Sequence, residues 1–266
     1  DMVTALRAAG GVHTLEDFAA SQTTIHDPIS STYKGRELCE HPPNGQGATA
    51  VLLLNILSQF DLASMDPFGT QRAHIEAEAT KLAYDTRNRF MSDPASMTRL
   101  DHMLSMETAE KLAALIDPKR AMTSATQISE HVHKDTIYIT VVDRDRMTVS
   151  LIYSIFHGFG SGIASEKFGV LFQNRGAGFS LTEGHPNEMA PGKRPMHTII
   201  PAIIRDEGRV SRPFGVMTAT YMASTPESAM RRTAAASSRR AARPSSTERS
   251  CAAAAVGRVN ESFIAL

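Results

Sequence analysis

A threonine that opens a strand carries a hydroxyl that could do covalent chemistry if a base stood beside it. After the polar stretch 129–135, Thr136 leads straight into Ile137-Tyr138-Ile139-Thr140-Val141-Val142. Inside an uncut chain its hydroxyl has no base beside it, and a threonine at a strand start also serves β propensity alone. If the bond before it were cut, the new α-amine, with an unperturbed pKa of ~7.7–8.0, would lie next to the hydroxyl and accept its proton. Arg175, on Gln173-Asn174-Arg175-Gly176, is either a carboxylate grip making two parallel bonds or a solvated turn residue. His131 and His133 have the spacing of two metal ligands but no third at hand, so they also read as a solvated loop. Gly160-Ser161-Gly162 would let backbone approach a site closely, without the strand and helix context of a phosphate loop. Glu76 and Glu78 read as surface and packing charges, and Asp143 and Asp145 as turn formers.

These residues need elements to hold them. Residues 1–94 read as helical with one hairpin-like stretch around Ile29–Cys39. Residues 1–9 form an amphipathic helix stopped by Gly10-Gly11, and Ala48–Leu57 an apolar one. From Gln71 to Phe90, the residues Ile75, Ala79, Leu82 and Ala83 recur at helical spacing and share one face. A further helix is expected at Ala109–Ile116, ended by Asp117-Pro118. From Thr136 the period changes to two. Ile137, Ile139 and Val141 alternate with Tyr138, Thr140 and Val142, and Met147–Ser154 follows the Asp143–Arg146 turn as a second strand. Strands are also expected at Gly169–Gln173 and Ile199–Arg205. Helices followed by clustered antiparallel strands predict an α+β fold.

Several stretches in one order resemble the γ-glutamyltranspeptidases. Gly11-Val12-His13-Thr14-Leu15-Glu16-Asp17-Phe18 is similar to that family's Gly-Leu-Ser/His-x-x-Asp-Phe segment, and Pro42-Pro43-Asn44-Gly45-Gln46-Gly47 to its Pro-Pro-x-Ser-x-Gly turn. The helix around His74–Tyr84 with Asp93-Pro94 resembles the close of the family's large subunit. Gly158–Gly162, Gln173-Asn174 and Gly192-Lys193-Arg194-Pro195 follow in family order after Thr136. The resemblance covers residues 1–217 and implies the αββα sandwich of the N-terminal nucleophile hydrolases, incomplete in this chain. It makes residues 1–135 the C-terminal part of the large subunit and 136–217 the start of the small one. Both come from one precursor cut at Asp135–Thr136 and remain associated.

The resemblance also implies roles. Thr136 is the nucleophile, forming a threonyl ester with a γ-glutamyl or glutaryl-like acyl group that water or an amine then accepts. No metal or cofactor is implied. Ser154 corresponds to a second hydroxyl that bonds the nucleophile's amino group, and otherwise reads as a polar residue at a strand end. The family's amine-binding Asp is replaced by Gly178, its two carboxylate-binding serines by His197 and Thr198, and its asparagine beyond the second hydroxyl by Phe156. The link from Phe179 to Pro186 leaves little room for the family's lid loop. With Arg175 nearby, this pattern resembles the cephalosporin (glutaryl) acylase branch and predicts a preference for glutaryl over γ-glutamyl.

Composition fits a chain that can bury a sizeable core, with 266 residues, 42% hydrophobic and 21% charged. Formal net charge is zero, which gives no reason to expect nucleic acid or an anionic membrane as partner. The longest apolar run, 48–57, is well short of the ~20 residues that span a bilayer. Cys39 and Cys251 suit neither a disulfide framework nor a Cys-x-x-Cys metal site. Residues 218–266 carry seven arginines against three glutamates in Ala/Arg/Ser-rich sequence without strand or helix period. This tail reads as a change of reading frame rather than a basic binding arm. The resemblance expects the family's Gly-Gly oxyanion donors where Thr218-Ala219 stand, and it implies that the chain begins well inside the large subunit. The chain as written is therefore expected to be an inactive family fragment, with its compartment left open between periplasmic, secreted and cytoplasmic.

Overall fold

The computed structural model describes residues 1–122, 136–216 and the pair 259–260. The calls on His131, His133, Asp135, Met217 and Thr218-Ala219, and on the tail apart from that pair, lie outside the described residues. Helices come first: α1 (Met2–Ala8), α2 (Leu15–Ala20), α3 (Gly47–Leu57), α4 (Thr70–Phe90), α5 (Leu100–Leu104) and α6 (Met106–Ala113). The strands are β1 (Ile25–His26), β2 (Ile29–Tyr33), β3 (Arg36–Glu40), β4 (Thr136–Val142), β5 (Thr148–Ser154), β6 (Ile200–Asp206), β7 (Arg209–Val216) and β8 (Val259–Asn260). The result is mixed helix and sheet, as expected of an α+β chain.

Helix α3 is the centre because it has no polar stripe. Every residue of Gly47–Leu57 is buried, which an apolar helix requires on all sides. It packs on β2, β3 and β6 on one side and on α4, α5 and α6 on the other. Its one amide, Asn55, is satisfied inside that packing. Its Oδ1 accepts from Ser31 Oγ at 2.8 Å and its Nδ2 donates to the Leu104 carbonyl at 3.2 Å. In α4, Ile75, Ala79 and Ala83 are buried against α3 and Leu82 is partly buried, so the expected apolar face is the one used.

Four strands form one antiparallel sheet in the order β2-β3-β6-β7. β3 meets β6 with Leu38 opposite Ile204 and Glu40 opposite Ala202, so strands before and after residue 136 share hydrogen bonds. β4 and β5 form a separate antiparallel hairpin. Alternation along β7 sends Phe214 into the core beside α3 and turns Gly215 to the opposite face, toward Tyr138 and Ile152 of the hairpin. A Cβ on Gly215 would collide with the Tyr138 ring, so glycine is what lets the hairpin lie close to the sheet. Ser150 Oγ donates to the Phe214 carbonyl at 3.1 Å and pins the same seam. On the hairpin's outer face, Ile137, Ile139, Val141, Val149, Leu151 and Tyr153 are 40–58% exposed, and nothing among the described residues covers them.

Some expectations need correction. Gly169–Gln173 is not a strand. Only an isolated bridge, Ala164 with Leu171, forms there, because Gly162 and Gly169 turn the chain with positive φ on either side. The helix expected at Ala109–Ile116 runs instead over Met106–Ala113, started by Ser105, whose Oγ accepts from Thr108 N. Helix α5 and strand β7 were missed. Glu76 and Glu78 are buried rather than on the surface. Arg72 Nε pairs with Glu76 Oε1 at 2.9 Å. Burial pushes the Glu78 carboxyl up, but bonds from Lys81 Nζ at 2.6 Å and Met122 N at 2.8 Å outweigh it and leave the group below the usual carboxylate range.

Glu40, at the end of β3, is 1% exposed and neither of its oxygens has a hydrogen-bond partner. Burial alone raises its pKa well above the ordinary carboxylate value. The folded form therefore holds a proton that the unfolded chain releases above its own carboxyl pKa of about 4.5. Stability from this group is full below that pH and declines as pH rises above it toward the raised folded-state value. Glu40→Leu is expected to remove that decline. Urea melts at pH 4.5, 6 and 7.5 should show the variant gaining on the parent chain at each step, and parallel pH dependences would refute the assignment.

Candidate active site

The hairpin register brings two hydroxyls together. Thr136, the first residue of β4, is directly opposite Ser154, the last of β5. Their Oγ atoms are 2.8 Å apart, and either can be the donor. Ser154 Oγ also accepts the Phe156 N–H at 3.1 Å, which fixes one lone pair and orients the hydroxyl. The contact runs to the Thr136 hydroxyl itself, the atom on which a nucleophile's reactivity depends.

Phe156 carries the site onward. Its φ is +77°, a left-handed conformation uncommon for a bulky residue, held where Ser154 captures its N–H. Its ring stacks on His157 at 4.4 Å between centroids. The Arg175 guanidinium stands 4.8 Å from the same ring's centroid. Arg175 Nη1 donates to Thr198 Oγ1 at 3.3 Å, and its backbone N–H is held by Gln173 Oε1. Residues Arg175–Gly178 form a 3₁₀ turn in which Arg175 is 3% exposed, so the solvated-turn reading is wrong and a buried cation stands in its place.

The Pro42–Gly47 turn holds the other wall. Asn44 Nδ2 donates to the Pro195 carbonyl at 2.7 Å, the Asn44 carbonyl accepts the His197 N–H at 2.8 Å, and Gln46 Nε2 donates to the Thr198 carbonyl at 2.6 Å. Arg87 of α4 donates to Gln46 Oε1 at 3.1 Å, and Asp93 Oδ2 accepts Arg194 N at 3.0 Å. His197 is 4% exposed, and burial first, then the charges of Arg175 and His41, pulls its imidazole well below the usual value. It is neutral at working pH.

Thr136 and Ser154 thus touch, as do Arg175 and Thr198, with Phe156 bridging the two pairs and His197 beside them. From sequence Phe156 reads only as the place of a lost asparagine. Asn174 was also missed as a site residue. Its Oδ1 accepts His157 N at 3.0 Å and its Nδ2 meets His157 Nδ1 at 2.7 Å, a pairing across seventeen residues of sequence that no local spacing signals. Asn187 likewise ties Gly178 to Met196, donating to the Gly178 carbonyl at 2.7 Å and accepting Met196 N at 2.8 Å. Gly160-Ser161-Gly162 does make a close approach, but to the Phe172 carbonyl. Ser161 N and Oγ both donate to it, at 2.8 and 2.9 Å, and a Cβ on Gly160 would collide with it. No group of three metal-binding side chains is present among the described residues.

A hydroxyl pair at the mouth of a hairpin, backed by a helix-covered antiparallel sheet, defines a class that comparison with known proteins makes specific. The sequence profile described as gamma-glutamyltranspeptidase matches residues 1–236. A glutathione hydrolase-like YwrD proenzyme of Bacillus subtilis is 35% identical over 78% of this chain and 39% of its own length. An oxamate amidohydrolase proenzyme of Klebsiella pneumoniae is 34% identical over 77% of this chain and 38% of its own. Among solved structures, a cephalosporin acylase from Bacillus halodurans superposes with a TM-score of 0.73 at 33% identity, over 82% of this chain and 39% of that one. The chain belongs to the γ-glutamyltranspeptidase family. It spans about two fifths of the length of the curated relatives it matches.

Proposed function

We propose that this chain carries the catalytic junction of an amidohydrolase that cuts itself between Asp135 and Thr136 and then transfers or hydrolyses a γ-glutamyl or glutaryl-like acyl group. The observation that carries this reading is the 2.8 Å contact of the Thr136 and Ser154 hydroxyls at the head of the hairpin. In the first step Thr136 Oγ attacks the Asp135 carbonyl carbon, the peptide C–N bond breaks, and the proton leaving the hydroxyl goes to the freed amine. Water opens the resulting ester and leaves an Asp135 carboxylate and an N-terminal threonine. In the second step the same oxygen takes the acyl group of a substrate amide, with the new α-amine accepting its proton and passing it to the departing amine. Water or a second amine then resolves the threonyl ester.

The sheet supports continued association of the two products. β2 and β3 lie before the cut and β6 and β7 after it, and β3 is hydrogen-bonded to β6. Residues 1–135 would therefore remain as large-subunit sequence attached to the small-subunit sequence that begins at Thr136. Helices on one side of the sheet and the hairpin on the other fit three layers of an αββα sandwich, with a second helical layer belonging over the exposed apolar face of the hairpin. Residues 237–266, beyond the family match, are proposed to form the atypical Ala/Arg/Ser-rich tail, which the sequence alone would start at 218.

Ser154 tests the site. Ser154→Ala is expected to slow appearance of the Thr136 N-terminus by about tenfold, the size of one lost hydrogen bond, and Ser154→Thr to restore it. Timed mass spectra of the full chain read both. Equal rates for all three chains would remove Ser154 from the mechanism.

A further inference from the structure

The Ser154 hydroxyl is directed by the Phe156 N–H, which it accepts at 3.1 Å while meeting Thr136 Oγ at 2.8 Å. That N–H reaches back two residues because Phe156 has φ +77°, a conformation a bulky residue keeps only where its surroundings impose it. Asn174 supplies the constraint from both sides of Phe156. Its backbone N–H donates to the Ile155 carbonyl at 3.3 Å, and its side-chain Oδ1 accepts the His157 N–H at 3.0 Å. Its Nδ2 meets His157 Nδ1 at 2.7 Å, and the His157 ring stacks on Phe156 at 4.4 Å between centroids. The orientation of the amide is forced. A backbone N–H can only donate, so it must face the amide oxygen, and the amide nitrogen is left to donate to the ring. His157 Nδ1 is therefore an acceptor and the ring proton lies on Nε2. One asparagine thus fixes the backbone, the ring plane and the tautomer of the residue that follows Phe156. Asn174 is in turn anchored by its carbonyl, which accepts the Ala177 N–H at 3.1 Å.

We infer that Asn174, acting through His157 and the Phe156 backbone, is a positioning residue for the hydroxyl pair: it holds the left-handed turn whose N–H aims Ser154 Oγ at Thr136. The inference rests on the reading of Thr136 as nucleophile only for what the hydroxyl pair then does. Asn174 bonds to Ile155, His157 and Ala177 and to neither hydroxyl. Its effect must therefore pass through the Phe156 N–H to Ser154, and it must vanish where the Ser154 hydroxyl is absent.

Two NMR measurements on the full chain, kept whole by Thr136→Ala, read this without cutting or turnover. Imidazole nitrogen shifts should place the His157 proton on Nε2, and Asn174→Asp, whose carboxylate can only accept, should bring a proton onto Nδ1. Amide exchange of Phe156 should quicken by about tenfold in Asn174→Ala, as in Ser154→Ala, and return toward the parent rate in Asn174→Asp. The combined Asn174→Ala and Ser154→Ala chain should exchange no faster than Ser154→Ala alone, whereas a residue that only stabilised the fold would add its effect. A parent proton on Nδ1, Phe156 exchange unchanged by Asn174→Ala, or additive single effects would each overturn the inference. If Asn174→Ala does not fold, the tautomers of the parent and of Asn174→Asp decide alone. A chain that shows these signatures but never gains an N-terminus at Thr136 upholds the positioning role and counts only against the nucleophile.

Discussion

On the proposed mechanism, Thr136→Ala is expected to leave the chain uncut and, in any longer form of the protein that turns over γ-glutamyl or glutaryl anilides, to lower p-nitroaniline release by at least about 10³-fold. The size follows from what alanine removes. The ester of the first step and the ester of the second form on the same Oγ, so no partial pathway survives its loss. Ser154 cannot replace it in the first step, because the acyl shift from N to O needs the hydroxyl on the residue whose own amide bond breaks, and Ser154 lies across the hairpin on another strand. Cut chains should show a new N-terminus at Thr136 by mass spectrometry, and Thr136→Ser should retain both activities at a reduced rate. A new N-terminus at Thr136 in the alanine variant, or undiminished turnover, would refute the nucleophile assignment. On the proposed mechanism the base after cutting is the Thr136 α-amine, so turnover should rise with pH as that amine loses its proton and level off above that point, the reference value for such amines being ~7.7–8.0.

The largest effect on stability is expected at the centre of α3. Leu52 is 0% exposed and packed within a helix buried on every side, between the sheet and the other helices. Leu52→Ala removes buried apolar volume and leaves a cavity that this packing cannot close easily, costing about 2–5 kcal/mol. For a chain of this size that is a fall in Tm of about 5–15 °C by calorimetry. The consequence reaches the site, because α3 begins at the Pro42–Gly47 turn that holds His197 and Thr198. A loss under 1 kcal/mol would show that α3 is not the central packing element.

Much of this was legible in one dimension because it rests on local periodicity. The apolar run at 48–57, the helical spacing of Ile75, Ala79 and Ala83, and the period-two strands on either side of Asp143–Arg146 each encode an element within a short window. The hairpin register follows from its turn, so Thr136 facing Ser154 was within reach of a count along two strands. Gly169–Gln173 misled for the same reason. Its apolar residues suit a strand, but whether they pair depends on neighbours outside the window.

The sequence by itself determined the family, the threonine that opens β4, and the hydroxyl across from it. Tertiary structure alone decided the character of Arg175. On a Gln-Asn-Arg-Gly turn it reads equally as solvated or functional, and it becomes a buried, uncompensated cation only when Phe156, Thr198 and His197 close around it from segments far apart in sequence. Charge and hydrogen-bond satisfaction depend on which groups share a volume, and residue types in order do not specify that volume. The same holds for β3 bonding to β6 across the proposed cut, a long-range pairing that no local pattern records.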